Sequence, residues 1–563
     1  MSRRPRAIAA VLTSIAVLAA AGCSSDSKPS TKGSSTASAP VANAQGINKQ
    51  ARDKVKPGGT VTEAIQQWIT QYNPYQVDGL QGDGYWLATL VLPALWNQDA
   101  TGVPQRNPDV LTSAAVTASS PKQVVTYAIN PKATWSDGTA ITWADFAQQW
   151  KSVDGSNSAY LISNPSGYNQ ISDVSKGSDD RHVVVTFSKP YADWQRLFDP
   201  LVPASQIDTP QKFNKGWIKQ VPVTGGPWKF GKLDQTAQSI TLVPDPKYWG
   251  TKPKLAKFVA RAIPSNLTAT DAFLNNEIDV TSARKPPDYK RLAKAPNTSI
   301  RIGSRWDQTN LAFSNRGILA DQAVRQAIQH AVNRPAVVKV ASTGLPYTPP
   351  ILDNHFYMPT QAGYQDTSSG YGNFDVAAAK KLLDDDGWQD HGAGKARTKN
   401  GQSLKLSYVV ADSGTTDVAE IIQSMLAQVG IDVAIQKVPG NDYFEKYVNV
   451  GKFDLTVFRQ IDQVFASQTI PEYQQPQGTN VFGNFGRIGS AEIDDLMNQA
   501  AAETDPGRSR ALYNQADAKI WALAITLPLF ETPSIYAVRT DLANEGAWGL
   551  ADTNQNVDTG WVQ

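Results

Sequence analysis

Between residues 305 and 339 the apolar positions change period. A short apolar-rich run, Asn310 to Ser314, reads as a strand, and Asn315 to Gly317 reads as a turn. Beyond it Val324, Ala327, Ile328, Ala331 and Val332 recur at i, i+3, i+4, i+7 and i+8, the spacing of one helix face turned to a core. Asp321 stands where a side-chain oxygen can accept from the free N–H groups of that helix. Asn333 can cap a second helix, because Pro335 has a φ suited to a first turn and lacks an N–H that would go unpaired there. The pattern predicts a strand leading into two capped helices.

The same reading, applied along the rest of the body, predicts strands at Thr60–Ile65, Val124–Ile129, His182–Phe187, Ser239–Pro244, Lys257–Ile263, Leu404–Val409, Ile431–Val438 and Lys452–Phe458. Helical runs are predicted from Tyr85 to Leu95, Thr142 to Trp150, Ala192 to Phe198, Asn266 to Asn275, Ala377 to Leu383 and Ala419 to Gln428. Asn400-Gly401 is a two-residue hairpin signal, because both positions of such a turn need a positive φ. Near the C-terminus, ITLPLFETPSIYAV reads as a pair of strands. Strands alternating with amphipathic helices make this an α/β chain.

The N-terminus follows a different pattern. Arg3, Arg4 and Arg6 precede an uncharged, largely apolar stretch from Ala7 to Ala21, which has the length of a secretory signal rather than of a membrane span. Cys23, the only cysteine in the chain, directly follows Ala20-Ala21-Gly22. Small residues there let a peptidase close around the backbone, and the arrangement resembles a bacterial lipobox, with Ala20 where leucine is usual. From Ser24 to about Val55 there is almost no large apolar residue, so the stretch reads as a flexible tether.

Composition narrows the function classes. At 563 residues the chain is too long for one ordinary core. Its 53 basic residues nearly balance 51 acidic ones, so no overall field favours nucleic acid as a partner. No disulfide is possible within a chain that holds one cysteine. The histidines, His182, His330, His355 and His391, are too scattered to suggest a zinc or nickel site, and no cofactor is expected. HGAGKARTKNG lacks the spacing of a phosphate-binding loop, and HExxH, GxSxG and CxxC are absent.

Several separated strings carry a resemblance. WSDGTAITWADF (135–146) is similar to "W-S-D-G-x-x-[IVL]-T-A-x-D-F/V", with Trp143 in place of alanine. VPVTGGPW (221–228) resembles "P-V-G-T-G-P-Y", DPKYWGTKPKL (245–255) resembles "N-P-x-Y-W-x-x-x-P-x-L", and NEIDV (276–280) resembles "x-G-E-I-D". Together with LAFSN and ILADQAVRQAIQHAVNRPAVV, these patterns resemble family 5 extracytoplasmic solute-binding proteins, the oligopeptide-, dipeptide- and nickel-binding components of ABC importers. The likeness is nearest to peptide-binding lipoproteins of high-GC Gram-positive bacteria and covers nearly all of residues 57–563.

The resemblance implies a two-lobed, periplasmic-binding-protein-like α/β fold of type II, with the extra subdomain of the peptide-binding class. It divides the chain into a signal peptide (1–22), a lipidated tether (23–56), a first lobe (57–312 plus 525–563, with a subdomain inserted at about 95–215) and a second lobe (313–524). It implies a monomer anchored by lipid to the outer face of the cell membrane, capturing a ligand, foremost an oligopeptide, for an ABC permease. The same fold could instead bind haem, a metal chelate, an oligosaccharide or a signalling metabolite. A secreted hydrolase is the alternative from another class, with Asp494-Asp495 or Asp384 to Asp386 as its only paired carboxylates.

Two segments supply candidate ligand contacts. Asp78-Gly79-Leu80 matches an acidic–Gly–apolar triplet that lines the cleft in oligopeptide-binding relatives, although an acid–Gly pair is also plain turn chemistry. Tyr160 falls where that branch places a ligand-contacting tyrosine. In the second segment, residues just past the carboxyl end of a strand face the crevice of an open sheet, which places Phe458, Arg459, Gln460 and Asp462 to meet a ligand. Relatives carry "G-W-x-x-D" there, whose aspartate pairs with a peptide α-ammonium; aligning Asp462 with it needs a one-residue deletion. Arg459 offers the opposite chemistry, a bidentate grip on a carboxylate or phosphate, and both charges could instead lie on a solvated loop.

Lipidation at Cys23 gives the first prediction. Each acyl CH₂ buried in the bilayer contributes ~0.8 kcal/mol, so Cys23→Ala should leave the body folded but release it from the membrane fraction. Fractionation of the alanine variant with membranes as complete as that of the wild type would overturn the assignment.

Overall fold

The computed structural model describes residues 45–80, 82–412, 416–461, 464–477, 481 and 483–562. The expected signal peptide, Cys23, most of the tether and Asp462 lie outside the described residues.

The chain enters one sheet with β1 (Thr60–Ile65) and leaves it for four antiparallel strands, β2 (Leu111–Ala118), β3 (Val124–Ile129), β4 (Ile171–Lys176) and β5 (His182–Phe187), which pair in the order β2-β3-β5-β4. It returns with β6 (Trp228–Asp234), β7 (Ser239–Pro244), β8 (Lys257–Ala262), β9 (Val280–Ser282) and β10 (Thr298–Gly303). It then crosses into a five-stranded sheet with β11 (Asp307–Phe313), β12 (Lys405–Ala411), β13 (Asp432–Val438), β14 (Leu455–Ile461) and β15 (Thr526–Glu531), ordered β13-β12-β14-β11-β15. A last long strand, β16 (Ser534–Arg539), goes back and completes a seven-stranded sheet in the order β10-β16-β9-β1-β8-β7-β6. Each of the two larger sheets packs its own buried apolar core, and the result is a bilobed α/β fold.

The stretch with the change of period folds as its pattern predicts. The first helix spans Gln322–Ala331 and buries Val324, Ala327, Ile328 and Ala331, while the Asp321 carboxylate accepts from the Ala323 N–H at 2.9 Å. The second spans Arg334–Ala341, and the Asn333 side chain accepts from the Ala336 N–H at 3.0 Å. Arg325 is buried on the first helix, where its guanidinium donates to the carbonyls of Leu319, Leu523 and Ala524 and so fastens the helix to the approach of β15. In the WSDG motif Asp137 accepts from the Thr139 N–H at 2.9 Å, and Asp145 accepts from the Thr142 N–H at 2.9 Å to cap the following helix. Asn400 and Gly401 adopt φ values of 52° and 80°, as a tight hairpin requires.

Four expectations change. The two apolar runs of ITLPLFETPSIYAV are strands, but they part at Thr532-Pro533: β15 lies along β11, with Leu311 opposite Leu527, whereas β16 sits between β10 and β9. The change of sheet therefore falls after Glu531 rather than at 524/525, and β11 is paired in the five-stranded sheet from Asp307 onward rather than from 313. Periodicity marks a strand and leaves its partner open. Residues 192–198 hold only a 3₁₀ turn, Trp194–Arg196, and Phe198 at φ 64° turns the chain away from helix. Strand β14 continues through Phe458, Arg459 and Gln460, because these residues pair with the polar start of β11.

The fourth change concerns the end of the tether. Gly46 pairs with Ala547 and Val55 with Val562, and Ile47 and Val55, the large apolar residues there, are buried. Residues 45–56 are thus docked against the C-terminal segment. Ile47→Ala should cost about 2–5 kcal/mol of stability, and the exposed Lys49→Ala under about 0.5 kcal/mol, read as shifts in denaturant midpoint. Equal midpoints for the two variants would mean that the segment is only a tether.

Candidate ligand cleft

Strands β1, β8 and β9 run parallel, and β10 shares their direction because both β9 and β10 are antiparallel to β16. Their carboxyl ends bring Glu63, Ile263, Arg284 and Arg305 to one edge of the sheet. In the other lobe β12, β13 and β14 are parallel and β11 opposes them, which sets Asp307 across from Ile461 at the carboxyl edge. Ligands of open α/β sheets sit outside such edges. A cavity of about 370 Å³ opens at the first edge, lined by Glu63, Asp83, Trp86, Arg284, Arg305 and Glu545 among others. Another of about 520 Å³ lies at the second, lined by Tyr408, Val418, Tyr443, Phe444, Phe458 and Arg459 among others.

The crossing between the sheets is built on charge. Asp307 is fully buried, and its carboxylate pairs with Arg305 and, at 3.3 Å, with Arg459. Burial pushes its pKa up, while Arg305, Arg459 and Arg284 pull it back. Arg284 is itself held below its ordinary value, first by burial and then by repulsion from Arg305. Glu531, at the end of β15, accepts from the Arg305 N–H at 2.8 Å, and burial raises it to about 7. Three guanidinium groups thus act on the one Asp307 carboxylate. The first cavity also carries acids pushed up by burial: Glu63 well above its usual range, Asp83, and Glu545 to about 7.

A second bridge closes the opposite approach. The Tyr191 and Ser467 hydroxyls meet at 3.2 Å, Asp193 accepts from the Ser467 N–H at 3.1 Å, and the Ala192 N–H donates to the Ala501 carbonyl at 2.8 Å.

The residues singled out in the sequence fall in different places. Phe458 and Arg459 line the second cavity, and Gln460 accepts from the Asn310 amide at 2.7 Å. Asp78, Gly79 and Leu80 form a 3₁₀ turn in which Asp78 is exposed and bonded to the Gln76 side chain. Gly79 is required there, since a Cβ would stand 1.8 Å from the Asn73 carbonyl oxygen. Tyr160 is buried edge-on against Phe213 at 5.3 Å and lines neither cavity. The carboxylates of the hydrolase alternative are engaged elsewhere: Asp385 pairs with Lys381, Asp386 with Lys399, Asp384 with buried Arg397, and Asp494 accepts from the Gln475 N–H. Sequence reasoning missed Glu63, Arg284, Arg305, Asp307, Glu531 and Glu545. Only Glu531 closes a run read as a strand; Glu63 lies inside one, and the other four lie in none of the predicted strands.

Comparison with known proteins supplies the identity. The model "Bacterial extracellular solute-binding proteins, family 5 Middle" matches residues 106–479. Over 520 residues the chain is 36% identical to the oligopeptide-binding protein OppA of Mycobacterium tuberculosis, covering 91% of this chain and 87% of that one. The chain belongs to the family 5 extracellular solute-binding proteins. A periplasmic EDTA-binding protein, EppA, matches with a TM-score of 0.82 at 24% identity over 92% of this chain and 99% of its own. The oligopeptide-binding protein AppA of Bacillus subtilis, in complex with a nonapeptide, matches with a TM-score of 0.71 at 18% identity over 91% and 100%.

As a family 5 protein the chain is a non-catalytic, extracytoplasmic component of an ABC importer that works with a membrane permease. Among the described residues no helix is long and apolar enough to cross a membrane.

Glu531 makes the crossing sensitive to pH. Its folded pKa of about 7 exceeds the ordinary 4.5, so the folded state holds the extra proton and stability is lost as pH rises from about 4.5 to about 7. This one group accounts for on the order of 3 kcal/mol across that window. Glu531→Gln should flatten the fall in Tm between pH 5 and 8 and raise Tm at pH 8; an unchanged slope would show that Glu531 titrates normally.

Proposed function

We propose that the protein captures an oligopeptide between its two lobes and delivers it to the permease, tethered to the outer face of the membrane through Cys23. The kinship over 91% of the chain with a protein named for oligopeptide binding carries this reading. The cleft chemistry agrees with it, since a peptide presents groups of both charges and the two edges offer both arginines and carboxylates. We place the lobe crossings at 304–306 and 532–533, where the chain changes sheet. In the second lobe Phe458, Arg459 and Gln460 form the contact strand, and Asp462 joins them on its sequence resemblance alone. In the first lobe Asp78, Gly79 and Leu80 are the contact turn. Tyr160 shapes the packing behind that turn.

A second reading is favoured by the three arginines at the crossing, which suit a polycarboxylate chelate as well as a peptide carboxylate. Native mass spectrometry of the protein purified without denaturation distinguishes the two by the mass of any retained ligand. Titration calorimetry with oligopeptides then tests the contact strand. Arg459→Gln should weaken binding by about 2–5 kcal/mol, roughly 30-fold or more, if it grips a carboxylate, and Asp462→Asn should do so if it pairs with an amine. Unchanged affinity in both variants would remove that strand from the ligand site.

A further inference from the structure

In the seven-stranded lobe one buried carboxylate oxygen has no hydrogen-bond partner among the described residues. Glu63, two residues before the end of β1, lines the 370 Å³ cavity, and this atom, its Oε2, is shut off from solvent. The charged groups that act on it, Glu545 and Asp83, have the same sign as its own. Asp83 accepts from the Gln66 N–H at 2.7 Å, and Glu545 accepts from the Gly546 N–H at 2.9 Å. The cation that attracts Glu545, Arg301, is spent on backbone: its guanidinium donates to the Glu545 carbonyl at 2.7 Å and the Leu542 carbonyl at 2.6 Å. Arg284 and Arg305 line the same cavity but act on Asp307 and Tyr536, and neither is among the groups acting on Glu63.

Burial and mutual repulsion push both acids above the ordinary carboxylate range, Glu545 to about 7. A cation entering between them would be stabilised by both carboxylates, beside Trp86 and Trp548, which line the same space. A metal ion is a poorer occupant, because among the described residues no group of three or more His, Cys, Asp or Glu is placed to hold one.

We propose that this cavity is a subsite for a cationic side chain of the ligand, a lysine ammonium or an arginine guanidinium held between Glu63 and Glu545, so that the protein selects basic peptides. The peptide part rests on the oligopeptide-capture reading; the charge of the bound group does not. Binding there requires ionised carboxylates, so affinity for a cation rises with pH. The groups facing the pair are Asp83, Arg301, Tyr536, Arg284 and Arg305, and of the pair Glu545 titrates at about 7, which gives roughly tenfold between pH 6 and pH 8.

Calorimetric titration of the mature protein with trilysine, trinorleucine and the non-peptide cation agmatine, at both pH values, tests this. At pH 8 trilysine should bind at least about tenfold more tightly than trinorleucine. Glu63→Gln should cut that preference to about threefold or less, leave trinorleucine unchanged and not lower Tm, since it removes an unpaired buried charge. If all peptides bind and lysine confers no advantage, the cation subsite is overturned while peptide capture stands. If no peptide binds but agmatine does, in a Glu63-dependent way, the subsite stands and the peptide reading falls. Failure of all three probes overturns both.

Discussion

One buried carboxylate holds the crossing of this protein together. Asp307 begins the strand that leaves the first lobe, and it has no contact with solvent. Arg305 reaches it from the crossing itself, Arg459 from β14 of the second lobe, and Arg284 acts on it from the end of β9 in the first. A charge at that depth is tolerable only because it is paired, and the guanidinium groups are tolerable only because of it. Three separate pieces of chain are therefore brought to one point by electrostatics rather than by apolar packing. Apolar packing would lock the lobes together, whereas ion pairs at a polar edge can be exchanged for pairs with a ligand.

How much of this the sequence revealed follows from what each signal encodes. The helices at 322–331 and 334–341 were legible because their apolar face, caps and proline all agree. Strand existence was legible for the same reason at β3, β5, β7 and β13. Partnership was not: nothing in the alternation of TLPLFE and SIYAVR says that the first pairs with β11 and the second with β9 and β10. The tether was misread at its end because two apolar residues, Ile47 and Val55, are too few to make a pattern, yet each is buried by a C-terminal segment some 500 residues away. In the cleft Arg459 was found because it follows an apolar strand. Glu63, inside β1, and Asp307, at the start of β11, were missed because a single charge in or beside a strand is normally solvated, and only assembly of the sheets removes the water.

Fold and ligand are recorded at different levels of this molecule. The fold rests on motifs such as WSDG, where Asp137 and Asp145 organise a turn and a helix start without touching a cavity. The ligand chemistry rests on charges at strand ends, which the fold tolerates in either sign. That separation explains how chains with this architecture can hold a nonapeptide or EDTA, as two structurally similar proteins do.

The late position of β16 has a consequence for how the protein is made. In the seven-stranded sheet β10 has no neighbour other than β16, and β16 is also the strand that closes the sheet against β9. Everything the second lobe needs has been synthesised by Glu531, but the first lobe stays open between β9 and β10 until the last thirty or so residues emerge. The N-terminal segment at 45–56 likewise finds its partners, around 540–562, only then. An extracytoplasmic protein built this way postpones completion of its first lobe to the final moments of synthesis, and so remains threadable while it is exported.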